Sequence, residues 1–87
     1  MERIYTKDIN PELNGKEVLL KGWIHEIRDL SKVKFIVLRD LSGIIQCVID
    51  NKELNTIFSK LTRESVIEII GKVKVMKQAP RGVEVGV

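Results

Sequence analysis

Two glycines set in the middle of long apolar alternations, Gly22 and Gly71, constrain this 87-residue chain more than any other feature. Around the first, residues 17–28 read as a strand in which Val18, Leu20 and Ile24 share one face. Around the second, residues 65–77 read as another, with Ile67, Ile69, Val73 and Val75 inside and Glu68, Lys72 and Lys74 facing water. Glycine packs nothing and weakens a strand, so one kept in a strand interior marks a bulge, a tight bend or a close approach of another backbone. Two such bends in two long strands are what a small closed barrel requires. A slip of parity at Gly22 would also return Ile27 to the core side.

The other strands follow from period two. Residues 34–40 place Ile36 and Leu38 on one face and Phe35, Val37 and Arg39 on the other. Leu41-Ser42-Gly43 is a hairpin connection. Residues 44–49 then turn Ile45, Cys47 and Ile49 one way and Ile44, Gln46 and Val48 the other. The period changes at Leu54, Ile57, Phe58 and Leu61, with Asp50 as N-cap and Glu53 three residues on, which predicts a helix of about three turns. Residues 78–82 form a turn, and Val83-Glu84-Val85-Gly86-Val87 starts a fifth strand that stops abruptly. That fifth strand is expected to be truncated, and the chain a piece of a longer polypeptide. Residues 1–15 are a leader that ends in the turn dipeptide Asn14-Gly15. The order predicts one domain over 1–87. It is all-β, a five-stranded OB-fold barrel with one short capping helix between strands three and four. An SH3-like barrel or a small α+β sandwich are the competing folds.

Size and composition narrow the function. Eighty-seven residues leave no room for an ordinary enzyme fold with a bound cofactor. Fifteen Lys and Arg against twelve Asp and Glu give a formal net charge of +3, a weak lean toward a polyanion. One Cys and one His exclude an intrachain disulfide and a structural zinc site, so no metal is expected. There is no P-loop, GxGxxG or HExxH. His25 and Glu26 are strand neighbours whose side chains point to opposite faces, so they make no catalytic pair. No catalytic residue is expected. The N-terminus lacks the apolar stretch of a signal peptide and no segment has transmembrane length, so the expected setting is the cytoplasm.

Binding is better supported. If Ile36 and Leu38 are core, Phe35 is thrown outward, where a large ring is unfavourable unless something covers it. A nucleobase stacks on such a ring with about 1–3 kcal/mol per base. Gln46 offers a donor and an acceptor to a base edge. Arg28, Lys32, Lys34 and Arg39 can reach phosphates. Three readings stay open on pattern alone: nucleic-acid binding, a protein-interaction module, and a plain structural barrel whose leader covers Phe35.

The residues Gly22-Trp23-Ile24, Arg28-Asp29-Leu30, Lys34-Phe35 and the run from Leu38-Arg39-Asp40-Leu41-Ser42-Gly43 to Ile44-Ile45-Gln46 carry a resemblance. In this spacing they resemble the N-terminal anticodon-binding domain of class IIb aminoacyl-tRNA synthetases. With Tyr5-Thr6 and Leu13-Asn14-Gly15-Lys16 they are most similar to the archaeal-type aspartyl enzymes. The resemblance implies that Phe35 stacks on the central anticodon base, a uridine, and that Gln46 hydrogen-bonds within the triplet. It puts Arg28 beside the anticodon path and Glu68 where the family has a base-contacting acid. His25 and Pro80 match the relaxed, non-discriminating form, which also aspartylates tRNA(Asn). Lys32, Lys34, Arg39, Pro80 and Arg81 are then phosphate or loop contacts. The parent would attach aspartate to tRNA with ATP and Mg²⁺ held by a separate catalytic domain, absent here, and would be a homodimer. An asparaginyl parent is the nearest relative reading. A stand-alone OB protein binding single-stranded DNA or RNA, or an OB/SH3-like protein-interaction module, are the alternatives of another class.

Overall fold

The computed structural model describes residues 2–30, 33–49 and 61–87. Two 3-10 turns, Thr6–Asp8 and Pro11–Leu13, precede β1 (Glu17–Leu30), β2 (Val33–Asp40), β3 (Gly43–Ile49), β4 (Val66–Val75) and β5 (Val83–Gly86). The strands close into a barrel in the order β1-β2-β3-β5-β4. All pairings are antiparallel except β3 with β5, where Cys47 lies opposite Val85 and Val48 opposite Gly86. The all-β five-stranded barrel is therefore as expected. The helix expected after β3 falls on residues 50–60, outside the described residues; the described helical turns lie ahead of β1.

Each mid-strand glycine sits where a strand changes partner. β1 pairs with β4 from Glu17 to Trp23 and with β2 from Trp23 to Leu30. β4 pairs with β1 up to Lys72 and with β5 from Lys72 to Val75. A Cβ on Gly22 would stand 2.3 Å from the Arg39 carbonyl oxygen, and one on Gly71 2.4 Å from that of Gly86. Close backbone approach explains both residues, and one expectation needs correcting. Parity does not slip at Gly22, because Val18, Leu20 and Ile24 are buried on both sides of it. The bulge is three residues later, at His25, between the pairs Ile24–Leu38 and Glu26–Val37. That extra residue brings Ile27 opposite Ile36 and against the core.

The inner faces of β2, β3 and β5 are buried as alternation requires, with Ile36, Leu38, Ile45, Cys47, Val83 and Val85 all nearly inaccessible. β4 departs at its end: Val75, expected inside, is half exposed, because the strand leaves the barrel there for the turn to β5. Cys47 acts as a small core hydrophobe. Burial, and then the Glu84 charge, push its thiol up to about 12.

The N-terminal residues form a strap across one end of the barrel, with Ile9 in the core. Its fastening is Asp40, 4% exposed, at the end of β2. The Thr6 N–H donates to Asp40 Oδ2 at 2.8 Å and the Thr6 hydroxyl to Oδ1 at 3.0 Å. Ser42 gives Oδ1 its N–H at 2.8 Å and its hydroxyl at 2.6 Å. Burial raises the Asp40 pKa, but the bonds from Ser42 and Thr6 outweigh it and hold the carboxyl below its ordinary 3.8.

Two outcomes are expected. Gly22→Ala must push β1 away from Arg39 and should cost about 1–3 kcal/mol in denaturant unfolding. Asp40→Asn should cost a similar amount near neutral pH, about 1–3 kcal/mol. A depressed folded pKa gives stability that is complete above the unfolded value and lost as pH falls through the folded one. The wild type should thus lose stability below about pH 3.8, and the Asn variant should show a flatter acid limb there.

Candidate nucleic-acid interface

The outer face of β1, β2, β3 and β5 is laid out in rows by the strand registers. One row runs Arg28–Phe35–Val48–Gly86. The next runs Glu26–Val37–Gln46. Glu84 continues that row, since the Gln46 amide Nε2 donates to its Oε2 at 3.2 Å. Lys74 ends it, opposite Glu84. A third row is Trp23–Arg39–Ile44. Val37 and Val48 are buried at 9% and 8% although they face outward, so they form an apolar floor. Phe35 and Gln46 stand half-buried beside it.

Two depressions open on this face and share Gln46. The first, about 200 Å³, is lined by His25, Arg28, Gln46, Pro80 and Arg81 together with Val37 and Ile44. Five of the ten expected site residues thus meet in one place. The bulge is the reason for His25: a residue extruded from the ladder projects toward the β4–β5 turn that carries Pro80. The second, about 420 Å³, is lined by Phe35, Gln46, Val33, Val48, Lys74, Met76, Gln78 and Glu84. No strap residue lines it, so the leader does not cover Phe35.

The remaining site residues lie apart. Arg39 is exposed one row away. Lys34 shares parity with Ile36, not with Phe35, and its ammonium stands 3.5 Å from Asp29 Oδ2. It therefore does not join the Phe35 face. Glu68 lies six residues along β4 from Lys74, about 20 Å away, and pairs with Lys21 at 3.7 Å. It lines neither depression. Lys32 is outside the described residues. Arg28 is on the face but paired with Glu26, Nε to Oε1 at 3.4 Å.

Glu84 is the residue that sequence reasoning missed. It is 4% exposed, on the same face as Gln46, and an acid between two inward valines on a strand is the signal that marks it. A carboxylate only accepts, so the contact fixes which end of the Gln46 amide points at it. Among the described residues, the Gln46 carbonyl oxygen and its second N–H meet no other partner. Among the described residues no three His, Cys, Asp or Glu converge as a metal site would need, and no helix is long and apolar enough to cross a membrane.

A closed five-stranded barrel with an aromatic ring and an amide over an apolar floor on its outer face has the form of an OB-fold single-strand binder. Residues 18–87 match the family model of the tRNA anticodon OB-fold nucleic acid binding domain, and the chain belongs to that family. It is 48% identical over 85 residues to an aspartate–tRNA(Asp/Asn) ligase of Methanopyrus kandleri, covering 93% of this chain and 20% of that protein. It is 44% identical over 87 residues to the Archaeoglobus fulgidus ligase of the same name, covering 95% and 20%. The chain thus spans about a fifth of the length of these curated relatives. Among solved structures, the asparaginyl-tRNA synthetase from Pyrococcus horikoshii complexed with asparaginyl-adenylate superposes with a TM-score of 0.93 at 37% identity, over 100% of this chain and 21% of that one. An OBody bound to hen egg-white lysozyme superposes at 0.89 with 26% identity, over 99% and 87%.

Glu84→Ala should free the Gln46 amide. The N–H bonded to the carboxylate should shift toward the position of a solvent-exposed glutamine amide, and both side-chain protons should exchange faster with water. Loss of a buried partner should lower stability by about 1–3 kcal/mol in thermal unfolding.

Proposed function

We propose that this chain is the anticodon-binding domain of an aspartate–tRNA ligase, and that Phe35 and Gln46 read its anticodon loop. The observation that carries the reading is their juxtaposition over the Val37–Val48 floor, with Glu84 fixing the amide. The Phe35 ring supplies a stacking surface for the central uridine, and Gln46 offers its free oxygen and N–H to a base edge. The 200 Å³ depression between His25 and Pro80 receives the neighbouring third base. The anticodons for aspartate and asparagine, GUC and GUU, differ only there. A pocket wall of a proline, which has no N–H, and an exposed imidazole suits acceptance of both, the relaxed form. Arg28 and Arg39 flank the path of the phosphates.

In this reading the parent is a cytoplasmic homodimer. A separate catalytic domain would use ATP and Mg²⁺ to attach aspartate, while this domain selects and orients the tRNA. The OBody bound to lysozyme favours one other reading, a protein-binding face on the same barrel. Such a face would bind no stem-loop in a salt-dependent way.

Phe35→Ala decides the matter. The ring is outside the buried core, so the variant should unfold close to wild type. Its affinity for a GUC anticodon stem-loop should fall by about 1–3 kcal/mol, roughly five- to 150-fold in Kd at fixed salt. A stem-loop with the central U replaced should bind the two proteins nearly alike. A stable variant that binds the GUC loop as tightly as wild type would remove Phe35 from the site.

A further inference from the structure

Arg81 follows Pro80 in the turn between β4 and β5, and its guanidinium is engaged by backbone. Nη1 donates to the carbonyl oxygens of Thr6 at 2.6 Å and Ile44 at 2.9 Å. Nη2 donates to those of Ile9 at 2.9 Å and Lys7 at 3.5 Å. Three of the four acceptors belong to the N-terminal strap. The turn's own backbone bonds, Ala79 N–H to Met76 O at 3.1 Å and Gly82 N–H to Ala79 O at 3.0 Å, shape it without tying it to the strap. The strap in turn is fastened to the β2–β3 hairpin by Thr6 on Asp40 and by the Lys7 N–H on Ser42 Oγ at 3.2 Å. One chain of bonds therefore runs from the hairpin through the strap and Arg81 to Pro80, on the rim of the depression that His25 and Gln46 also line.

We propose that Arg81 is a positioning residue for third-base recognition: it clamps the Pro80 turn to the carbonyls of the strap and so fixes the width of the depression facing His25. This rests on the anticodon reading above. A planar fork with its terminal N–H groups aimed at carbonyls is suited to bracing two segments, and it leaves little donor capacity for a phosphate. The strap contributes no lining residue to that depression, yet it becomes part of the recognition device through Arg81.

The test measures binding of wild type, Arg81→Lys and Arg81→Met to three stem-loops at several salt concentrations: GUC, GUC abasic at the third position, and GUC abasic at the central position. The expected result is a roughly three- to tenfold loss for both variants on the GUC loop, no loss on the third-position abasic loop, and an undiminished loss on the central one. Lysine should fail like methionine, because three donors on a flexible stem cannot hold this set of carbonyls. The salt slope should not change. A lysine variant with wild-type affinity, beside a methionine variant that weakens all three loops and lowers the slope by about 0.7, would make Arg81 a phosphate contact and overturn the proposal. Equal losses on all three loops at constant slope would make it merely structural and overturn it too. Wild type that does not distinguish the central-position abasic loop from GUC would bring down the anticodon reading and this inference with it; the two preceding results sink the inference alone. Should Arg81→Met fail to fold, Thr6→Val loosens the strap with Arg81 intact. The same third-position loss supports the clamp, and a uniform loss overturns it.

Discussion

Backbone crowding at two points, Gly22 against the Arg39 carbonyl and Gly71 against that of Gly86, makes the rest of the structure possible. A sheet of five strands closes only if some strands serve two neighbours in succession, bending between them. β1 passes from β4 to β2 just at Gly22, and β4 passes from β1 to β5 just at Gly71. A methyl group at either place would hold the walls apart. Closure in turn brings β5 beside β3, and only that pairing sets Glu84 next to Gln46. The polar centre of the face is thus a consequence of two missing side chains on the opposite strands.

This dependence explains what was legible in the sequence. Alternation is local, so the inward sets of β2 and β3, and with them the outward Phe35 and Gln46, could be read residue by residue. The same parity, applied to Lys34, would have removed it from the Phe35 face; charge and adjacency suggested otherwise. Glu84 needed knowledge of which strand lies beside β3, a pairing between residues 38 apart that no local pattern encodes. The bulge was misplaced for a related reason. A glycine is visible in a sequence, whereas an extra residue at His25 shows only when the register on both sides is known. Glu68 came from the resemblance, and on β4 it lines neither depression.

Part of the positive charge at this face is already engaged: Arg28 has Glu26 and Arg81 has four carbonyls, while Arg39 stands exposed one row away. A buried carboxylate, Glu84, lies at the centre of the face. An acid there repels phosphate and favours the N–H edge of a base, so a strand is expected to lie with bases toward Gln46 and phosphates toward the rim. A net charge of +3 suits such an arrangement, in which stacking and hydrogen-bond geometry carry more of the affinity than counterion release.

The face also divides by the rigidity of its parts. Phe35 and Gln46 sit on regular ladder positions, Phe35 paired on both sides with β1 and β3 and Gln46 paired with β2, so the backbone sets the side-chain origin. His25 and Pro80 sit on irregular backbone, a bulge and a turn, and loop-borne groups hold position less well unless something braces them. Under the proposed anticodon reading, a rigid platform suits a uridine common to both anticodons. For a third base that varies between them, adjustable elements let a pocket be opened or narrowed without disturbing the barrel. Such elements discriminate only when their spacing is held, and under the proposed reading the cation beside Pro80, directed at backbone rather than at solvent, would hold it. Pocket width would then be governed by a segment at the other end of the sequence, through carbonyls that any side chains would present.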